Sequence, residues 1–212
     1  MRGSEPVEVT AGEVRLAGDL TMPEHASGIV AFAHGSGSGR LSPRNRYVAD
    51  ALNRAGLATL LFDLLTASEE GDRANVFDVG LLAGRLAGAT RWLGERVAVR
   101  SLPIGYFGAS TGAAAALWAA SDPGLEIAAV VSRGGRPDLA RPRLADVKAP
   151  TLLIVGGDDD VVLDLNRRAA AELRCENDLI IIPGATHLFE EPGTLEAVAA
   201  AASEWFADHF HR

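Results

Sequence analysis

Several stretches of this chain are apolar without a break, and three of them lead into glycine-containing turns. Gly28-Ile29-Val30-Ala31-Phe32-Ala33 leads into His34-Gly35-Ser36-Gly37-Ser38-Gly39, Ile104-Gly105-Tyr106-Phe107 into Gly108, and Thr151-Leu152-Leu153-Ile154-Val155 into Gly156-Gly157. A strand with one wet face alternates apolar and polar residues, so a run without alternation belongs to a strand buried on both faces. Parallel sheets covered by helices are built from such strands.

The segments between the runs agree with this reading. Val7-Glu8-Val9-Thr10 and Val14 to Leu20 alternate about Ala11-Gly12-Glu13, the pattern of an antiparallel hairpin. Helical spacing follows at Pro43 to Ala55, then a strand at Ala58 to Phe62 and a long helix from Val79 to Val97 through Leu82, Leu86 and Leu93. After the strand Ile104 to Phe107 come a small-residue helix, Ala113 to Ala120, and a strand, Ile127 to Val131. Then follow the strand Thr151 to Val155, a helix Leu163 to Leu173, the strand Leu179 to Ile182 and a helix Thr194 to Phe210. Arg133 to Pro150 carries Pro137, Pro142 and Pro150 and reads as a crossover loop with a short helical turn. Strands alternating with helices imply right-handed crossovers and an α/β fold. The sheet is mostly parallel, with an N-terminal antiparallel hairpin and helices on both faces. No repeat or linker interrupts it, so residues 1–212 read as one domain.

Composition narrows the function. The chain has 212 residues, 48% of them hydrophobic, enough for a covered central sheet. No apolar stretch reaches the roughly 18 residues of a membrane span, and Met1-Arg2-Gly3-Ser4-Glu5-Pro6 lacks the apolar core of a signal peptide. A lone cysteine, Cys175, offers neither an internal disulfide nor a second thiolate for a metal. The expectation is a cytoplasmic protein. The net charge of -8, from 20 basic and 28 acidic residues, argues against nucleic acid as a partner. All the basic residues but Lys148 are arginine, which reads as compositional bias.

In open α/β sheets, ligands sit beyond the carboxyl ends of the strands. Gly108-Ala109-Ser110-Thr111-Gly112 lies there, between a strand and a helix. A serine on such a tight turn presents its hydroxyl, and the Thr111 amide at the start of the helix can stabilise an oxyanion. A hydroxyl needs a base to become a nucleophile; His187, in Pro183-Gly184-Ala185-Thr186-His187, follows the last strand. A carboxylate to orient that base is available from Asp158, Asp159 or Asp160, and spacing alone does not choose among them. Asp164 is a candidate cap for the helix that follows. The aspartates lack the alternating ligand spacing of a calcium loop, so no metal site is expected. His34 suits shaping the glycine loop after the first buried strand, and Gly35 or Ser36 in that loop can supply a second oxyanion amide. The loop matches no nucleotide-binding pattern. His25, His209 and His211 read as surface residues.

The order Ser, Asp, His at successive strand ends, with a glycine loop earlier, resembles the α/β-hydrolase superfamily, and most closely its dienelactone-hydrolase-like branch with a serine nucleophile. The resemblance spans His34-Gly35-Ser36-Gly37-Ser38, Gly108 to Gly112, Pro150 to Gly157 and Gly184-Ala185-Thr186-His187-Leu188-Phe189. It implies an α/β-hydrolase fold without a large lid, nucleophile Ser110, base His187, and oxyanion amides from Thr111 and Ser36. The pattern G-x-x-D-x-x-V, matched by Gly156 to Val162, places the acid at Asp159. Dienelactone hydrolases proper use cysteine where this chain has Ser110, and Cys175 lies in another element.

Arg133, in Val131-Ser132-Arg133-Gly134-Gly135, follows a strand end and is a candidate clamp for a substrate carboxylate, as are Arg40 and Arg46. The expected activity is hydrolysis of small carboxylic esters or lactones through an acyl-enzyme, with no cofactor. Acyl transfer or amide hydrolysis by the same residues, or a binding module on the same fold, are the alternatives. The expected partner is a small-molecule ester or lactone, with neither nucleic acid nor membrane; homo-oligomerisation is left open.

Overall fold

A computed structural model describes residues 3–210. The chain order is β1 (Ser4–Ala11), β2 (Val14–Thr21), β3 (Ile29–Ala33), α1 (Pro43–Arg54), β4 (Ala58–Phe62), α2 (Ala67–Glu70), α3 (Arg73–Phe77), α4 (Val79–Glu95) and β5 (Ile104–Ala109). There follow α5 (Thr111–Ala120), β6 (Ala129–Arg133), a 3-10 segment (Pro137–Asp146), β7 (Thr151–Gly156), α6 (Asp160–Glu172), β8 (Asn177–Ile182) and α7 (Thr194–Phe210). The eight strands form one sheet in the order β1-β2-β4-β3-β5-β6-β7-β8. β1 and β2 form the antiparallel hairpin, which joins β4 antiparallel, and the remaining pairs are parallel. This is the α/β-hydrolase fold that the sequence implies.

The unbroken apolar runs are explained by two cores, one on each face. Ala31, Tyr106, Val130 and Leu153 face α4, α5 and the 3-10 segment. Their strand neighbours Phe32, Phe107, Val131 and Leu152 face α1 and α7. Successive residues of a strand point to opposite faces, so each must be apolar. The helices are placed by their own chemistry. Ser42 caps α1, its hydroxyl accepting the Asn45 amide, with Pro43 in the first turn. Asp78 caps α4 by accepting the Leu81 amide at 2.9 Å. Among the described residues, no helix is long and apolar enough to cross a membrane.

Several expectations need correction. β6 runs from Ala129 to Arg133 rather than Ile127 to Val131, because Ser132 and Arg133 still pair with Gly108 and Ala109 of β5. α6 begins at Asp160, two residues before its first buried apolar position, Val162, so Asp164 is internal and pairs with Arg168 at 2.6 Å instead of capping. His209 is buried, held by the Trp205 carbonyl at 2.7 Å and facing Glu176 at 3.3 Å. His25 is exposed as expected, while His211 lies outside the described residues.

The sheet order reverses at β3. The chain leaves β3 toward β4 on one side and returns to β5 on the other. Loops after β3 and β5 therefore diverge and open a crevice between them. The glycine loop and Ser110 stand on its two banks.

Candidate active site

Ser110 joins β5 directly to α5 with φ 52° and ψ -119°, a left-handed conformation rare for a residue with a side chain. Such a residue stores roughly 1–3 kcal/mol, which the surroundings must over-determine. They do so through the backbone. The Ser110 amide donates to the Arg133 carbonyl at 3.1 Å, and its carbonyl accepts from Ala113 and Arg136. Glycine is required on both sides. A Cβ on Gly108 would overlap the Ala113 backbone, and one on Gly112 would overlap the carbonyls of Ala33 and His34. The half-buried Ser110 side chain makes no capping hydrogen bond to its own helix.

On the facing bank, Gly35 lies against the elbow, where a Cβ would come within 3.2 Å of the Ser110 Cβ. The Ser36 amide donates to the Thr111 hydroxyl at 2.9 Å. The Thr111 amide opens α5, so it has no carbonyl within the helix to donate to. His34 braces this loop. Its Nδ1 lies 3.1 Å from the Gly35 carbonyl, and its Nε2 lies 3.0 Å from the Leu64 amide. Nδ1 therefore carries the proton and donates, while Nε2 accepts, which is the neutral ring. Burial lowers the His34 pKa in keeping with this, although the Gly35 carbonyl, Asp63 and Glu70 pull the other way. His34 thus shapes the loop, as its position suggested.

The third group of residues follows β7 and β8. The Asp158 amide donates to the Ala185 carbonyl at 2.9 Å and that of Gly157 to Ile182 at 2.8 Å, stitching the two loops together. Glu191 fixes the β8 loop by accepting both the Thr186 amide at 3.1 Å and its hydroxyl at 2.6 Å. These ties hold His187 Nδ1 2.7 Å from Asp159 Oδ2. An ionised carboxylate only accepts, so Nδ1 donates, and in the neutral ring that tautomer leaves the lone pair on Nε2. Asp159 is the aspartate that turns inward, while Asp160 enters α6 and Asp158 stays exposed. The imidazole leans over the loop after β6. Its Cε1 lies 3.6 Å from where a Gly134 Cβ would be, one residue beyond the carbonyl that holds the Ser110 amide. His187 and Asp159 are thus paired beside the loop that follows β6, while among the described residues no hydrogen bond joins the His187 ring to the Ser110 hydroxyl.

Arg133 is close by but is only 7% exposed. Its Nε and Nη1 are buried and without a hydrogen-bond partner among the described residues. Burial, with a smaller contribution from the nearby Arg44 cation, pulls its pKa down to about 10. Arg40 and Arg46, the other two candidates, are matched by carboxylates. Arg40 binds Asp63 at 3.1 Å and lies 3.5 Å from Asp19, which Arg46 approaches at 3.7 Å. Sequence reasoning missed Arg44. It stands in the first turn of α1 and lines a cleft of about 700 Å³ that also borders His34, Gly35, Ser36, Asp63 and Leu65.

No sequence-family profile matches the chain. It is 57% identical to a dienelactone hydrolase from Anabaena variabilis whose crystal structure superposes with a TM-score of 0.95, covering 98% of both chains. Est1E from Butyrivibrio proteoclasticus shares the fold at 16% identity and a TM-score of 0.83, with 98% of this chain and 99% of that one covered. A Mycobacterium tuberculosis H37Rv protein, provisionally named a phosphoribosyl transferase, is 64% identical over 205 residues. That match takes in 97% of this chain and 46% of the relative, so the chain spans about half of that relative's length.

Proposed function

The chain belongs to the α/β-hydrolase superfamily, in its dienelactone-hydrolase-like branch, and from that premise we propose that it is a serine hydrolase cleaving small carboxylic esters or lactones. Ser110 Oγ attacks the carbonyl carbon while His187 Nε2 takes its proton. Asp159 holds the ring in the tautomer that leaves Nε2 free and stabilises the imidazolium that forms. The amides of Thr111 and Ser36 receive the developing oxyanion. In the resting site the Ser36 amide is engaged by the Thr111 hydroxyl, so the oxyanion must take that proton over as charge builds. Collapse of the tetrahedral intermediate breaks the bond to the leaving oxygen, which departs with the proton from His187. Water, deprotonated by His187, then attacks the acyl-Ser110 ester, releasing the acid and restoring the serine. Arg133 is assigned to substrate binding.

The observation that carries this reading is the 2.7 Å pairing of His187 with Asp159 on the rim occupied by a strained Ser110. A serine held in a costly conformation and an oriented imidazole, both at strand ends of the same sheet, suit acyl chemistry. Phosphoribosyl transfer displaces pyrophosphate at a sugar carbon, for which neither feature is needed. That name also covers a protein more than half of which lies outside the match.

The test is turnover of p-nitrophenyl acetate by the wild type and by Ser110→Ala. The variant is expected to lose about 10³-fold or more in kcat while keeping its fold, as judged by circular dichroism. Equal turnover by the two proteins would overturn the proposal. Adding methanol and analysing products separates hydrolysis from acyl transfer.

A further inference from the structure

We infer that Asp63 is a positioning residue for the oxyanion amide of Ser36, acting through the backbone of the glycine loop; the catalytic part of this inference rests on the hydrolase reading above. The loop from His34 to Arg40 carries Gly35, Gly37 and Gly39, and Gly37 takes φ 70°. Such a loop has many backbone states open to it, so the place of any one amide must be imposed from outside. Asp63 and Leu64 follow β4 directly and hold the two ends of the loop. The Leu64 amide donates to His34 Nε2 at 3.0 Å, which fixes the start. At the far end the Arg40 amide donates to Asp63 Oδ1 at 2.8 Å, and the Arg40 guanidinium donates to Oδ2 at 3.1 Å. Asp63 is itself anchored, its amide donating to the Ala17 carbonyl of β2 at 3.0 Å. Gly39 makes room for this contact, since a Cβ there would come within 2.8 Å of Asp63 Oδ1.

The middle of the loop has a third tie, from the Ser36 amide to the Thr111 hydroxyl at 2.9 Å. That tie is the one the reaction gives up, because the same amide turns to the oxyanion as charge builds. Within the loop the Ser38 amide donates to the Gly35 carbonyl at 3.2 Å, a turn that travels with the loop and does not hold it to the sheet. In the transition state the loop is therefore located by its two ends, His34 on Leu64 and Arg40 on Asp63. A backbone amide bonded to a carboxylate is among the stronger hydrogen bonds. Its loss is felt most where the Thr111 tie has already gone, so it weakens the transition state more than the substrate complex.

The test compares Asp63→Ala, Asp63→Asn and Gly39→Ala with the wild type in turnover of p-nitrophenyl acetate, the fold of each being verified by circular dichroism. Asp63→Ala is expected to lower kcat by about 10- to 100-fold with KM held within about twofold, the effect of a displaced oxyanion donor. Asp63→Asn keeps an oxygen for the Arg40 amide and is expected to restore kcat to within about fivefold of the wild type. Gly39→Ala pushes on the carboxylate from the loop side and is expected to fall with Asp63→Ala; it carries the comparison if Asp63→Ala does not fold. A merely stabilising aspartate would lower Tm and leave the folded enzyme's kcat alone. A kcat for Asp63→Ala within about threefold of the wild type, or a loss confined to KM, would overturn the inference. A second measurement needs no turnover. Hydrogen–deuterium exchange of the peptide covering residues 34–42 is expected to quicken by about tenfold or more in Asp63→Ala and to stay near the wild-type rate in Asp63→Asn. Unchanged exchange in Asp63→Ala would show that the loop is held without this carboxylate, against the inference. Faster exchange in a protein without any Ser110-dependent turnover would keep the pinning of the loop and sink the hydrolase reading.

Discussion

His34 shows how one side chain can hold a loop by staying neutral. Its two nitrogens do different work: Nδ1 donates to Gly35 and Nε2 accepts from Leu64. Protonation would put a hydrogen on Nε2 against the Leu64 amide, and burial already lowers the pKa below its ordinary 6.5. The unfolded chain therefore binds this proton before the folded one does. The stabilisation is complete above about pH 6.5 and is lost as pH falls through the depressed folded value. His34→Gln cannot titrate, so it is expected to be less stable than the wild type at pH 8 by about 1–2 kcal/mol, with the gap narrowing at pH 5.5. Urea unfolding at the two pH values checks this; a constant gap would show that the ring's charge state does not matter. Other residue-scale features escape inspection of the sequence. The bond from the Ser36 amide to the Thr111 hydroxyl joins positions 75 residues apart, and no local pattern announces it.

Elements were legible where periodicity is strong and ambiguous where burial overrides it. α7 runs from Thr194 to Phe210, as its spacing predicts, and the hairpin and the strand–helix order follow the pattern too. β6 did not end where its apolar run ends, because sheet pairing carries Ser132 and a charged Arg133 into the strand. The two short helices before α4 were missed, although Thr66-Ala67-Ser68-Glu69 is a capping box whose reciprocal bonds both form. Their brevity leaves no helical period to detect. α7 also makes a demand on the strand beneath it. Phe206 is fully buried, and its ring packs so closely over Gly105 that a Cβ there would come within 2.6 Å. Phe206→Ala is expected to cost about 3–5 kcal/mol through lost contacts and the remaining cavity. Gly105→Ala should also destabilise, by forcing the ring aside. Denaturant midpoints measure both; a loss below about 1 kcal/mol for Phe206→Ala would mean that α7 is held elsewhere.

At the scale of the molecule, the order of strands does most of the positioning. Reversal at β3 opens the crevice, β5 delivers Ser110 to one bank, and the glycine loop after β3 forms the other. β7 and β8, adjacent in the sheet, bring Asp159 and His187 together across 28 residues of chain. This convergence could be inferred from the order Ser, Asp, His because each residue follows a strand. The choice of Asp159 among three aspartates rested on family resemblance, and the fold explains it: Asp159 precedes α6 without capping it, which leaves its carboxylate to His187, while Asp160 is committed to the helix. The most direct measurement of the central claim is reaction with a fluorophosphonate followed by peptide mass mapping. The account predicts one phosphonylated residue, Ser110, with labelling abolished in Ser110→Ala and slowed strongly in His187→Ala. Labelling at another residue, or none under conditions where the protein turns over an ester, would contradict it.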